Sequence, residues 1–387
     1  MKKKNMFTLV ILYLAYTSIY IARVNLSIAS PEFIEQSILD SAQIGVLGSC
    51  FFTVYAIGRI VNGTLSDRQP PWRMLTIGLL LAGVSNIFMS CFPPYLAMLL
   101  FWTLNAYAQS MLWSSVLCVV TAVCDPAVAK KATSIMVSSV AVGNILGIMI
   151  NTGLITAFDV RAAFLIPGIM TIVLGFLTWK ATGTVKAQAV SREEHHSIFS
   201  LLKNKDILMM NATAMIHGVM KENISLWMAV YIVDTYFVDL TTSSYYILVI
   251  PTIGLIGRIL YPMLFQLCRE NEYKISKISF IVCVAASAVL CIGKTGIVVS
   301  VLALGVIYMV ISLINTSLLS IYPLRYAETG NTASVSGIMD FSTYLGAGIS
   351  SAVYGVVIKH FGYLPMFVSW VVISGISIVI LARKQNQ

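Results

Sequence analysis

The chain has 387 residues, 58% of them hydrophobic and 11% charged, with a formal net charge of +9. A soluble domain carries roughly 25% charged residues, so the composition excludes an ordinary globular enzyme, a disordered chain and a nucleic-acid binder. With a mean hydropathy of +0.86 the solvent is a bilayer, and the positive excess sits in the connections between apolar runs.

Crossing about 30 Å of hydrocarbon takes ~20 helical residues, and the apolar runs reach that length one after another. They fall at 7–30, 44–66, 74–91, 95–123, 132–154 and 162–179. After a polar stretch they resume at 207–237, 242–266, 277–293, 296–322, 334–358 and 365–382. None alternates with a period of two, so the runs predict helices rather than barrel strands. Lys2 to Lys4 before an apolar run imitates a signal peptide, but the run continues past the length of a signal's apolar region and reads as a retained first span. The predicted fold is an all-α membrane protein, with twelve transmembrane helices in two six-helix, pseudo-symmetric bundles. Residues 1–179 form the N-terminal bundle, 180–206 a cytoplasmic linker and 207–387 the C-terminal bundle.

With both termini in the cytoplasm, most of the 25 Lys and Arg fall in inner connections, and only Arg161, Lys294 and Lys359 fall in outer ones. Cytoplasmic loops carry such an excess. A cell (inner) membrane location is expected from the short termini and the absence of a targeting extension. Seven cysteines are scattered without metal-ligand spacing, so neither a metal, a cofactor nor a disulfide framework is expected. The expected partners are a small anionic substrate, phosphate-bearing, and the lipid bilayer; no nucleic acid is expected, and the chain is expected to be a monomer.

The halves resemble each other at a fixed offset. Arg23-Val24-Asn25-Leu26-Ser27 in the first span matches Lys221-Glu222-Asn223-Ile224-Ser225 in the seventh, and Ile57-Gly58-Arg59-Ile60 in the second matches Ile256-Gly257-Arg258-Ile259 in the eighth. A parallel repeat of six spans implies two bundles about an axis along the membrane normal, with a central site. Arg23 and Lys221 are then expected at similar depth across that axis. Each basic residue near a helix centre costs roughly 2.5 to 3.5 kcal/mol on the insertion scale, and that cost needs compensation.

Polar stripes surround these cations. Tyr16, Tyr20, Arg23 and Ser27 share one helical face, as do Tyr55, Arg59, Asn62 and Ser66, and His217, Lys221 and Ser225. Asp340, Tyr344 and Ser351 line up on the eleventh span. Hydroxyls and amides flanking two cations are what a desolvated oxyanion needs, because each oxygen must regain the hydrogen bonds it had in water. Ser and Asn alone read better as helix-to-helix links. Arg59 reads equally as a ligand or as a pin to a neighbouring helix, and Arg258 as half of a structural salt bridge. The intramembrane acids Glu222 and Asp340 could balance a cation or carry a proton. Glu222 points about 100° from Lys221 on a helix and is expected to pair across a helix interface. Asp340 is the better proton-coupling candidate, and His217 reads as a hydrogen-bonded interior histidine.

Gly63-x-x-x-Asp67-Arg68, followed by Arg73, resembles the loop signature of the major facilitator superfamily, though Pro70 and Pro71 interrupt it. Within that superfamily, Tyr20-Ile21-Ala22-Arg23-Val24-Asn25, the Tyr55 to Arg68 segment, Trp113 and Tyr344-Leu345-Gly346-Ala347-Gly348 are similar to the organophosphate:phosphate antiporters. The resemblance implies that Arg23 and Lys221 clamp a phosphate, that Arg59 lies near the site, and that Tyr16, Tyr20, Tyr55, Trp113 and Tyr344 line the cavity. Asp67 and Arg68 would gate it. Lys221 stands where glycerol-phosphate exchangers have Arg, and Val140 where they have His, so glycerol 3-phosphate is not the expected substrate. The expected function is secondary active transport of an organic phosphate or related anion by alternating access, in exchange for inorganic phosphate. The alternatives are a proton-coupled carboxylate carrier and, in another class, a transporter-like membrane sensor of sugar phosphate. With no nucleophile beside a base and no phosphate-cradling Gly loop, an enzyme is not expected.

Overall fold

A computed structural model describes residues 3–66, 69–183, 201, 203–293, 295–326 and 331–385. These residues are α-helical almost throughout. In chain order the helices are α1 (Lys3–Glu35), α2 (Ser41–Ser66), α3 (Pro71–Ser90), α4 (Tyr95–Ser110), α5 (Leu112–Val123), α6 (Pro126–Ala157) and α7 (Ala162–Thr182). They continue as α8 (Lys205–Tyr236), α9 (Leu240–Leu267), α10 (Glu272–Cys291), α11 (Ile297–Thr316), α12 (Thr332–Phe361) and α13 (Leu364–Gln385). A π turn at Ser317–Ile321 and a 3-10 turn at Tyr322–Tyr326 extend α11.

Three of the helices begin at polar residues outside the apolar runs that cap them. Asn204 accepts a hydrogen bond from the Asp206 N–H to start α8, Asp239 from the Thr242 N–H to start α9, and Asn271 from the Tyr273 and Lys274 N–H groups to start α10. At the far end of α12, Gly362 takes φ +72°, a conformation that stops the helix. The fourth span is two helices, α4 and α5, parted at Met111. Eleven stretches among the described residues are long and apolar enough to cross a membrane. Helix α8 falls short of that measure although it is 32 residues long, because Asn211, His217, Lys221, Glu222 and Asn223 interrupt its middle. A span this polar must be shielded by protein.

The chain divides into two compact units, Met1–Leu39 with Cys50–Ser191, and Asp40–Ser49 with Arg192–Gln387. The linker expected at 180–206 lies largely outside the described residues. In the first unit α1 packs on α6 and α7, and α3 on α7 and α4. In the second unit α8 packs on α12 and α13, and α10 on α13 and α11. These are the partners that the internal repeat pairs, so the same packing scheme is built twice.

Water is absent from the hydrocarbon layer, so helices approach where side chains are small and polar groups satisfy one another. Gly143 of α6 lies against α1, where an added Cβ would sit 2.7 Å from the Thr17 carbonyl oxygen and 2.6 Å from Tyr20 Cβ. Gly218 of α8 lies still closer to the Thr343 carbonyl of α12. The repeat-related asparagines, both wholly buried, pin these assemblies. Asn25 Nδ2 donates to Asn86 Oδ1 at 2.7 Å and to the Ala163 carbonyl at 3.2 Å. Asn223 Nδ2 donates to Ser350 Oγ at 2.7 Å, and its Oδ1 accepts from Ser351 Oγ at 3.1 Å. Ser351 thus links two helices, and so does Asn62, which donates to Ser110 Oγ at 2.8 Å.

Two polar clusters close the ends of the second unit. Asp206 accepts from the hydroxyls of Tyr273 and Tyr322, each at 3.1 Å, and Arg325 pairs with Glu272 while lying 4.8 Å over the Tyr273 ring. At the other end, Lys359 Nζ meets Asp40 Oδ2 at 2.8 Å.

Candidate functional site

In the first unit the candidate residues converge on Arg23. Its guanidinium lies over the rings of Phe51, Tyr55, Tyr20 and Phe52, at 4.9, 5.1, 5.8 and 5.8 Å from their centroids. The rings fall on the right face because α2 repeats aromatics at one-turn spacing, Phe51 then Tyr55, and the two stack at 6.2 Å. Trp102 backs Phe51 at 5.4 Å. Tyr16 is buried one turn below Tyr20, 5.6 Å from its ring and 5.2 Å from that of Trp113. Arg59, half-buried two turns along α2 from Phe52, is near enough to Tyr16 to act on it electrostatically. Tyr16, Tyr20, Tyr55, Trp113, Arg23 and Arg59 therefore form one group.

Rings hold a guanidinium through its faces, whereas its N–H donors lie at its edges. The cup around Arg23 thus fixes the plane of a fork whose geometry suits two oxygens of one anion. Phe51 and Phe52 were missed by the sequence reading, since aromatics in an apolar run look lipid-facing. Stepping one turn back along the Tyr55 and Arg59 stripe would have found Phe51.

In the second unit Lys221 is half-buried on α8, its Nζ 5.8 Å from the centroid of the Tyr344 ring on α12. The close seam at Gly218 brings those helices near enough for this contact. Glu222 differs from its expectation. Its carboxylate meets a residue of its own helix, Oε1 reaching Lys221 Nζ at 2.7 Å. Both side chains are long enough to curl across the 100° between adjacent helical positions, and burying either charge alone costs more than bending. His217, one turn before Lys221, is fully buried beside the Ile311 backbone, but neither ring nitrogen makes a hydrogen bond of ordinary length to a described residue. Asp340 is half-buried one turn before Tyr344 on α12. Arg258 makes no ion pair among the described residues, which corrects the salt bridge expected of it. Asp67 and Arg68, the expected gating pair, lie outside the described residues.

Among the described residues no three His, Cys, Asp or Glu side chains gather as metal ligands, and all seven cysteines are free thiols. A cavity of about 600 Å³ beside Met209, Val372, Ile376 and Arg383 includes none of the candidate residues.

A family model described as Major Facilitator Superfamily matches residues 12–351. The chain is 30% identical over 167 residues to the Probable hexose phosphate transport protein of Chlamydia trachomatis, across 43% of this chain and 36% of that protein. It is 26% identical over 274 residues to the Membrane sensor protein UhpC of Escherichia coli, across 64% of this chain and 62% of that protein. These matches span less than two thirds of the relatives' lengths. The crystal structure of a bacterial homolog to the human lysosomal transporter Spinster superposes with a TM-score of 0.82 at 14% identity, over 98% of this chain and 97% of its own. That likeness is one of fold.

Proposed function

The chain belongs to the Major Facilitator Superfamily, and on that premise we propose that it is a secondary transporter of phosphate-bearing organic anions, of which hexose phosphates are the first class to test. The observation that carries the reading is Arg23 in its aromatic cup, at the repeat position of a second intramembrane cation, Lys221. A guanidinium at that depth is expensive, and a phosphoryl group repays it with charge and with hydrogen-bond acceptors. Arg23 and Lys221 both bind the anion in this reading, Arg59 adds charge, and Tyr16, Tyr20, Tyr55, Trp113 and Tyr344 shape the surroundings. Inorganic phosphate, sharing the same oxyanion, serves as the exchange partner. The relatives named for hexose phosphate transport support this substrate class. The excess of Lys and Arg in alternate connections supports cytoplasmic termini, and a bacterial inner membrane is the proposed location.

Purified protein should bind inorganic phosphate and glucose 6-phosphate competitively, with Arg23→Ala and Lys221→Ala each losing binding while remaining folded. Equal binding by either variant would remove that residue from the site, and preference for carboxylates over phosphates would favour the proton-coupled carboxylate carrier, with Asp340 as its acid. A second reading rests on the longer match to the sensor UhpC. A sensor would bind sugar phosphate and not move it.

A further inference from the structure

Building on the transport reading, we propose that Glu222 is a resident counter-anion for Lys221, holding the place on that cation that the substrate's phosphoryl group takes when it binds. Lys221 Nζ and Glu222 Oε1 are 2.7 Å apart, and the two side chains are 20% and 7% exposed. A pair so little hydrated holds a charge-assisted hydrogen bond that any entering anion must displace. The Tyr344 ring lies over the same ammonium, at 5.8 Å, so the cation is oriented from one side and neutralised from another.

The internal repeat sharpens the point. Glu222 corresponds to Val24 of the first unit, whose side chain packs on α6 at Gly147. The acid was therefore not needed to build this helix position, since the first unit builds it with valine. Ring faces lie over Arg23 and orient its guanidinium. Lys221 carries a carboxylate from the adjacent position of its own helix.

Two consequences follow. First, the phosphoryl group competes with Glu222 for Lys221, which moderates affinity; a dianion wins the competition where a monoanion of the same shape wins it less. Second, the empty protein is not left with two uncompensated cations. An empty carrier whose Lys221 is already neutralised can change conformation without a ligand, so that exchange with phosphate is favoured but not obligatory.

Glu222→Gln keeps the size and hydrogen-bonding capacity of the side chain and removes its charge. With inorganic phosphate as probe, calorimetry on the purified full chain should show binding about tenfold tighter in Glu222→Gln than in wild type, the effect of one charge-assisted hydrogen bond released to the ligand. In vesicles, wild-type uptake of labelled phosphate should differ by no more than a few-fold between empty and phosphate-loaded interiors. For Glu222→Gln the ratio should rise by about tenfold or more, because Lys221 without the Glu222 charge now draws on an anion for the return. Glu222→Asp, which retains the charge with a shorter reach, should lie between. Unchanged phosphate affinity in Glu222→Gln, or an equal dependence on internal phosphate in both proteins, would overturn the proposal. Tighter binding by Glu222→Gln with no uptake by either protein would uphold the counter-anion and overturn the transport reading instead.

Discussion

Replacing Gly143 by Ala tests whether the seat of Arg23 is set by the close approach of α6 to α1. The new Cβ would lie 2.7 Å from the Thr17 carbonyl oxygen and 2.6 Å from Tyr20 Cβ, whereas ordinary contact begins at 3.4 Å. The carbonyl is backbone and cannot rotate away, so α6 must withdraw by roughly 0.7 Å, at the 1 to 3 kcal/mol typical of overpacking. Tyr20 belongs to the cup over Arg23, so the displacement also loosens the guanidinium's seat. Thermal unfolding in detergent should fall by several degrees, and phosphate affinity should drop with it. The control is Gly153→Ala, at an exposed position of the same helix where nothing lies within 4 Å of the new Cβ. Helix propensity there gains up to about 1 kcal/mol, so stability should hold or rise. Equal stability and equal phosphate affinity in the two variants would refute the argument that the α1 and α6 backbones set the site.

Gly218→Ala should be more damaging than Gly143→Ala, because the Thr343 carbonyl lies closer to it; a milder effect on the melting temperature would contradict the α8 and α12 seam. Asn223→Ala removes hydrogen bonds with Ser350 and Ser351, and at about 0.6 kcal/mol for each interhelical bond should lower stability by roughly 1 kcal/mol; denaturation in detergent measures it. Arg23→Lys should lose more phosphate affinity than Lys221→Arg does, since a point charge cannot replace a fork held by its faces, and isothermal titration of both variants decides it. Asp40 is only partly shielded. Burial raises its carboxyl pKa, but hydrogen bonds from Lys359 and the Gln43 N–H outweigh that and hold it below the ordinary 3.8. The pair therefore stabilises the folded protein above the unfolded carboxyl's pKa and loses that contribution as pH falls through the depressed value. Being exposed, it should give a coupling of less than about 1 kcal/mol in a double-mutant cycle of Asp40→Asn and Lys359→Met at neutral pH.

Helix order and span limits were legible because hydrocarbon thickness imposes a length on every apolar run, and the repeat was legible because Arg23 and Lys221 are costly residues that stand out. What surrounds those cations was less so. Phe51 is reached only by extending the Tyr55 and Arg59 stripe one turn, and Phe52 lies one position off that stripe, an apolar residue in an apolar helix. The Lys221 and Glu222 pair was hidden because a helical wheel places side chains by their Cα positions, whereas long side chains meet by bending. The repeat also marked Asn25 and Asn223, which proved to be helix links, so matching positions in the halves record shared packing as well as shared chemistry. The break at Met111 left no trace in the sequence, its neighbours being ordinary helix formers.

The most direct test of the transport reading is uptake of labelled glucose 6-phosphate by purified protein in vesicles loaded with inorganic phosphate. The account predicts saturable accumulation that external phosphate inhibits and that Arg23→Ala abolishes. Binding of the sugar phosphate by the purified protein, with accumulation no greater than in protein-free vesicles, would contradict it and leave the chain a sensor.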